Sequence, residues 1–178
     1  MIKVITGSMF SGKSLKVIKL LNKLNKNKII IFKPKIDTRD NNVLKSRKSK
    51  KIYNGILIDK LEEIPNYLNK NIKTIVIDEA QFLDGDVKTI INLHLKGYDF
   101  IISGLNLTSE EKPFGLMGDL LCIATDIEVL KSKCYCCNKK RAEYTCLFGN
   151  SKKEDVLIEG DYYPVCRKCL GEIKYGKL

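Results

Sequence analysis

Residues 7–14 read GSMFSGKS, and they directly follow the apolar run IKVIT at residues 2–6. The spacing Gly, four residues, Gly-Lys-Ser is that of a phosphate-binding loop, and a strand before it with a helix after it is the context such a loop requires. Gly7 and Gly12 let the backbone turn so that several N–H groups face one anion, and the following helix presents its N-terminus to the same anion. Lys13 is then the side chain that reaches the β- and γ-phosphates, and Ser14 the hydroxyl that meets Mg²⁺. The stretch predicts a nucleoside triphosphate site. Loops of this kind serve hydrolases, motors and kinases alike, so the phosphate acceptor must be sought elsewhere in the chain.

Outward from the loop, apolar residues Val17, Ile18, Leu21 and Leu24 recur at helical spacing and predict a helix over residues 14–25. KIIIFKP at 28–34 is a second β-branched run, followed by a polar, charge-rich stretch at 35–51 that reads as a long loop. IYNGILI at 52–58 predicts a strand, KLEEIPNYLNK at 60–70 a short helix, TIVIDEA at 74–80 a third buried strand, 84–96 a helix and YDFIISGL at 98–105 another strand. Strands that are almost continuously apolar and alternate with helices predict an α/β fold with a parallel sheet covered on both faces. The pattern weakens after Leu105, and four paired cysteines follow. A boundary near Lys131 is expected, with an ATP-binding unit over 1–130 and a small metal-stapled unit over 131–178.

The strand at 74–80 ends in two carboxylates. Asp78, at the end of a buried strand, suits contact with Mg²⁺. Glu79 is one residue on and is expected to point elsewhere, because side chains alternate along a strand. In a hydrolase such a Glu polarises water; in a kinase it takes a proton from an acceptor hydroxyl. The lone histidine, His94, lies in a helical segment and reads as an ordinary residue.

Seven cysteines, an odd number, do not suit a disulfide framework, and the strand-like start leaves no signal peptide to be expected. Cys134-x-x-Cys137 and Cys166-x-x-Cys169 supply four thiolates for a tetrahedral structural Zn²⁺. Cys136 competes as a ligand, but the matched spacing favours Cys137. Cys122 and Cys146 are expected to be buried thiols. A redox-active pair is the alternative reading. No apolar run approaches the roughly 20 residues that span a membrane, so a cytoplasmic protein is expected.

The net charge of +11 raises the question of nucleic acid. Nearly all of the basic residues are Lys, with only Arg39, Arg47, Arg141 and Arg167 beside them, whereas base reading and bidentate phosphate clamps favour Arg. The densest run, KSRKSKK at 45–51, reads as a solvated loop. Nucleic acid is not the expected partner.

Taken together in their order, MFSGKS, KPKIDTR, DEAQF, KPFG and CYCC…CRKC resemble the zinc-containing thymidine kinase family. The resemblance runs from Val4 to Leu170 and implies a RecA-like phosphate-loop sheet with a zinc-bearing lobe whose lasso loop closes over a nucleoside. It implies transfer of the γ-phosphate of ATP to the 5′-hydroxyl of thymidine or deoxyuridine, with Glu79 as general base. Gly7, Ser8, Met9, Phe10, Ser11, Gly12, Lys13 and Ser14, with Asp37, Thr38, Arg39, Asp78 and Gln81, become the ATP side. Met9, Leu105, Thr145 and Tyr162, with backbone at Val156, Leu157, Ile158, Glu159 and Gly160, become the nucleoside side. A homotetramer is implied as well. The chain departs from the family pattern at Asn106, where an Asp is usual, and at Ser109, where an aromatic is usual. It departs again at Arg47, where a His is usual, and at Leu147, where an Arg is usual. The stretch before Cys166 is also shorter. These positions touch the acceptor side, which keeps two other readings open: a kinase for a different nucleoside, and a non-catalytic ATP-binding regulatory or nucleic-acid-binding protein.

Overall fold

The structure is a computed structural model that describes residues 1–37, 42–46, 49–139, 141–147 and 161–176. Its centre is a six-stranded parallel sheet made of β1 (Ile2–Gly7), β2 (Ile29–Pro34), β5 (Ile56–Ile58), β6 (Thr74–Ile77), β7 (Asp99–Gly104) and β8 (Asp126–Leu130). The order across the sheet is β5-β2-β6-β7-β1-β8. Every pairing is parallel, with Val4 opposite Ile102 and Ile127, and Ile77 opposite both Phe32 and Ile102.

The apolar runs are continuous because both faces are covered. Val4, Phe32, Ile75, Ile77, Phe100 and Ile102 bury on one face, beneath α2 (Lys88–Leu95), α3 (Met117–Ile123) and a 3₁₀ segment over Leu61–Tyr67. The alternate residues Ile5, Ile31, Val76 and Ile101 bury on the other face, against Val17, Ile18 and Leu21 of α1 (Lys13–Leu21). This is period-2 alternation with an apolar partner on each side. Each fully buried aliphatic side chain contributes about 1.5–3 kcal/mol relative to exposure.

Several elements differ from the expectations. α1 stops at Leu21, four residues short: Leu24 stays exposed, and Asn25 caps a new turn by accepting from the Asn27 N–H at 3.0 Å. Within 35–51, expected as one loop, β3 (Val43–Ser46) pairs antiparallel with β4 (Ser49–Asn54). One buried side chain, Leu44, anchors that hairpin against α1, which is too sparse a pattern to stand out among lysines. The run at 52–58 is not one strand, since Gly55 separates β4 from β5. Beyond Leu105, where the pattern weakens, the chain still adds α3 and the sheet's sixth strand, β8. That strand alternates charged and apolar residues because it lies at an edge.

After β8 the described residues form short pieces: β9 (Ser132–Lys133) with β10 (Arg141–Ala142), and β11 (Tyr144–Leu147) with β12 (Tyr162–Val165), then α4 (Arg167–Tyr175). Among the described residues, no helix is long and apolar enough to cross a membrane.

Candidate functional site

The loop at 7–14 leaves the carboxyl end of β1 and enters α1. Gly12 caps that helix at φ 90°, in the left-handed region that a side chain disfavours. Gly7 is required for a different reason: a Cβ there would lie 1.9 Å from the Leu130 carbonyl oxygen at the end of β8. The Lys13 ammonium crosses the loop and donates to the carbonyls of Gly7 and Ser8, each at 3.0 Å, so its charge stays inside the turn. The Ser11 hydroxyl is buried and has no hydrogen-bond partner among the described residues. A buried orphan donor costs about 1–3 kcal/mol, and an anion in the loop would satisfy it.

Beside the loop opens a cavity of about 1300 Å³. Met9, Phe10, Ser11, Gly12, Lys13 and Ser14 line one side of it, and Asp37, Asp78, Glu79 and Leu105 line the other. Asp78 follows the last residue of β6, and β7 lies between β6 and β1. Ser103 of β7 donates its hydroxyl to Asp78 Oδ1 at 2.5 Å. Burial, and then the neighbouring Glu79 carboxylate, push the Asp78 carboxyl up to about 6, against the pull of the Ser103 hydrogen bond and the Lys33 charge. A buried carboxylate and a serine hydroxyl, Asp78 and Ser14, are hard oxygen donors that fit Mg²⁺ carried with a nucleotide.

Glu79 corrects the expectation that it points away from Asp78. The strand ends at Ile77, so alternation no longer governs, and Glu79 takes φ 54°, ψ 42°. Both carboxylates therefore line the same cavity. A left-handed glutamate is uncommon, and such backbone costs on the order of 1–3 kcal/mol. Gln81 holds it there. Its carboxamide oxygen accepts the Leu105 N–H at 3.0 Å, which leaves Nε2 to donate to Glu79 Oε2 at 2.6 Å. Gln81 thus joins Glu79 to Leu105.

The loop's other flank meets the cysteine-bearing segment. The Met9 N–H donates to Thr145 Oγ1 at 3.1 Å, and Ser8 Oγ lies 3.2 Å from Ser132 Oγ. Thr145 is buried on β11, and Tyr162, half-buried, begins β12 beside it, opposite Leu147. Thr38, Arg39, Val156, Leu157, Ile158, Glu159 and Gly160 lie outside the described residues. His94, on α2, stands 2.9 Å from the Tyr98 carbonyl and is not part of the cavity wall.

Cys134, Cys137, Cys166 and Cys169 bring their sulfurs within 4.8 Å of one another, and this group could hold a metal ion. Tetrahedral zinc with bonds near 2.3 Å needs sulfurs about 3.8 Å apart, and Cys137 and Cys166 are 3.9 Å apart. The Cys166 N–H donates to Cys134 Sγ at 3.3 Å. Burial raises the Cys134 thiol, but hydrogen bonds from the Cys137 and Cys166 backbone outweigh it and bring the group down to about 6. Four sulfurs gathered this closely suit a soft, borderline ion. Cys136 is exposed and outside the group. Cys122 is exposed on α3 and Cys146 half-buried, so neither is the buried thiol expected from cysteine's general preference.

Two residues at the site escaped the sequence reading. Ser103 is the one polar residue inside the run FIIS, and Lys33 is a lysine inside IIIFKP. In each case the signal was a polar side chain where the strand is otherwise buried.

A parallel sheet with a phosphate loop at the end of one strand, and a buried Asp at the end of another strand one place removed, defines a phosphate-loop nucleotide-binding protein. The thymidine kinase family description matches residues 1–170. Over 174 residues the chain is 42% identical to a thymidine kinase of Mycoplasma mobile, covering 94% of this chain and 86% of that protein. It is 39% identical over 191 residues to a thymidine kinase of Onion yellows phytoplasma, covering 99% and 90%. It is 34% identical over 163 residues to one of Mycoplasma genitalium, covering 89% and 76%. This chain belongs to the thymidine kinase family.

Proposed function

We propose that the protein transfers the γ-phosphate of Mg-ATP to the 5′-hydroxyl of thymidine or deoxyuridine, with Glu79 as the general base. The observation that carries this reading is the Gln81 amide. One end fixes the Glu79 carboxylate at the cavity wall and the other fixes Leu105, which is assigned to the nucleoside side. Phosphoryl transfer depends on positioning and charge neutralisation more than on covalent help. Gly7, Ser8, Met9, Phe10, Ser11, Gly12, Lys13 and Ser14 cradle the triphosphate, and Asp37, Thr38, Arg39, Asp78 and Gln81 complete that side. Ser14 and Asp78 would hold Mg²⁺, which would supply charge neutralisation on the phosphates. Glu79 accepts the hydroxyl proton, a contribution of about 10²–10⁴ in rate.

Met9, Leu105, Thr145 and Tyr162, with the backbone of Val156, Leu157, Ile158, Glu159 and Gly160, hold the nucleoside. Cys134, Cys137, Cys166 and Cys169 bind a structural zinc ion that fixes β11 and β12 beside the phosphate loop. Residues 1–130 form the ATP-binding unit and 131–178 the zinc-bearing unit. The protein works in the cytoplasm as a homotetramer. The test is a panel of nucleosides offered to the purified protein with Mg-ATP. Thymidine and deoxyuridine are expected to give the highest kcat/KM. A higher value for any other nucleoside overturns the acceptor, and turnover of none overturns the reaction.

A further inference from the structure

Lys33 is the penultimate residue of β2 and is 1% exposed, which is exceptional for a lysine. Its ammonium sits 3.2 Å from Asp37 Oδ2, one turn further along the chain past Pro34, and donates to the Val43 carbonyl at 3.1 Å. Asp37 is itself 3% exposed. The aliphatic stem runs over Gly55, where an added Cβ would come within 3.3 Å of Lys33 Cγ. One side chain thus ties together the end of β2, the turn that carries Asp37, the first residue of β3 and the break between β4 and β5. Lys33 also reaches the wall of the nucleotide cavity, together with Asp37, Asp78 and Glu79.

A buried ion pair is weak support for stability, since an apolar pair of the same volume does as well or better. Packing therefore gives no reason for a cation here. The three carboxylates on one wall do: Asp37, Asp78 and Glu79 repel one another and the triphosphate, and Lys33 is the fully buried cation among them. Its charge is felt at Asp78, whose carboxyl it draws downward.

We infer that Lys33 is a positioning residue for the donor nucleotide. It acts through Asp37, holding that turn and the root of the β3–β4 hairpin in register with the phosphate loop. The inference rests on the reading of the cavity as the Mg-ATP site, and it concerns donor binding rather than acceptor chemistry.

Lys33→Met, Asp37→Asn and the double variant test it. The first readout is Mg-ATP affinity measured by equilibrium dialysis without any nucleoside, and the second is steady-state turnover. Lys33→Met is expected to weaken Mg-ATP by about tenfold or more, as loss of a charge-assisted pair implies, while KM for thymidine stays within about twofold. If Lys33 acts through Asp37, the double variant should match Asp37→Asn within about threefold rather than show the product of both losses. A folded, metal-loaded Lys33→Met protein that binds Mg-ATP like wild type overturns the inference, as does a double variant with fully additive losses. Should the single variant fail to fold through its unpaired carboxylate, the double variant, which carries neither charge, decides alone. A further loss of about tenfold beyond Asp37→Asn counts against the inference. Wild-type protein that binds Mg-ATP but phosphorylates no nucleoside removes the proposed reaction and leaves the Lys33 comparison intact.

Discussion

The sheet and the cysteine-bearing segment after it are held together by different forces. In the sheet, every strand from β1 to β7 except the short edge strand β5 carries apolar side chains into a core on each face. Beyond Leu130 the strands are two to four residues long. Of the six buried members of the cluster there, three are Cys134, Cys166 and Cys169. Apolar burial suffices for the first region, whereas in the second, half of the buried cluster consists of cysteines whose sulfurs could hold a metal ion. A structural zinc ion in such a module supplies on the order of 10 kcal/mol of folding free energy. The two regions meet at the phosphate loop, through Ser8 to Ser132 and Met9 to Thr145. On the proposed reading, the donor side is built on the sheet and the acceptor side on the cysteine-bearing segment.

The largest effect expected from this contrast follows removal of one thiolate. Cys166→Ser should drop bound zinc from one ion per chain to near zero and cut kcat/KM for thymidine by about a hundredfold or more, through loss of the module. Mg-ATP affinity should change by less than about fivefold, because the loop rests on β1 and α1. Metal analysis and ATP dialysis on the same sample check both halves. Equal loss of both activities would show that the regions do not stand apart.

Asp78→Asn acts on the sheet side alone. Asp78 is raised from an ordinary 3.8 to about 6 in the fold. A group raised on folding contributes stability that is complete below its unfolded value and is lost as pH rises through its folded value. Without nucleotide, wild-type protein should therefore lose stability between about pH 4 and pH 6, and the Asn variant, which still accepts from Ser103, should not. At pH 7 the variant should be more stable by on the order of 3 kcal/mol, yet should transfer no phosphate. Thermal melts of both proteins across pH 4–7 read the difference; a constant gap would contradict the burial argument.

The smallest effect probes the junction. Thr145→Val keeps the shape of the side chain and leaves the Met9 N–H without its acceptor, at a cost of about 1–2 kcal/mol. KM for thymidine should rise about tenfold, with a smaller rise in KM for ATP because Met9 also belongs to the phosphate cradle. An effect on ATP alone would place Thr145 on the donor side.

The sequence was most legible where one physical requirement leaves few solutions. The phosphate loop needs its glycines and lysine at fixed spacing, buried parallel strands need unbroken β-branched runs, and a thiolate metal site needs its paired cysteines. Legibility failed where the decisive partner lies far along the chain. Leu44 anchors the β3–β4 hairpin only because α1 is there to receive it. β8 alternates charged and apolar residues and so lacks an unbroken apolar run, because it lies at the sheet edge. The alternation rule misplaced Glu79, because the strand ends two residues earlier and Gln81 then pins the carboxylate. Lys33 and Ser103 looked like interruptions of apolar runs, and they are the polar groups that serve Asp37 and Asp78.

The most direct measurement is ATP-dependent phosphorylation of thymidine by wild type and by Glu79→Gln, with Mg-ATP affinity determined for both. The expected result is turnover by wild type, a fall in kcat of about 10²–10⁴ in the variant, and Mg-ATP affinity unchanged within about threefold. Turnover by the variant at the wild-type rate would contradict Glu79 as the base.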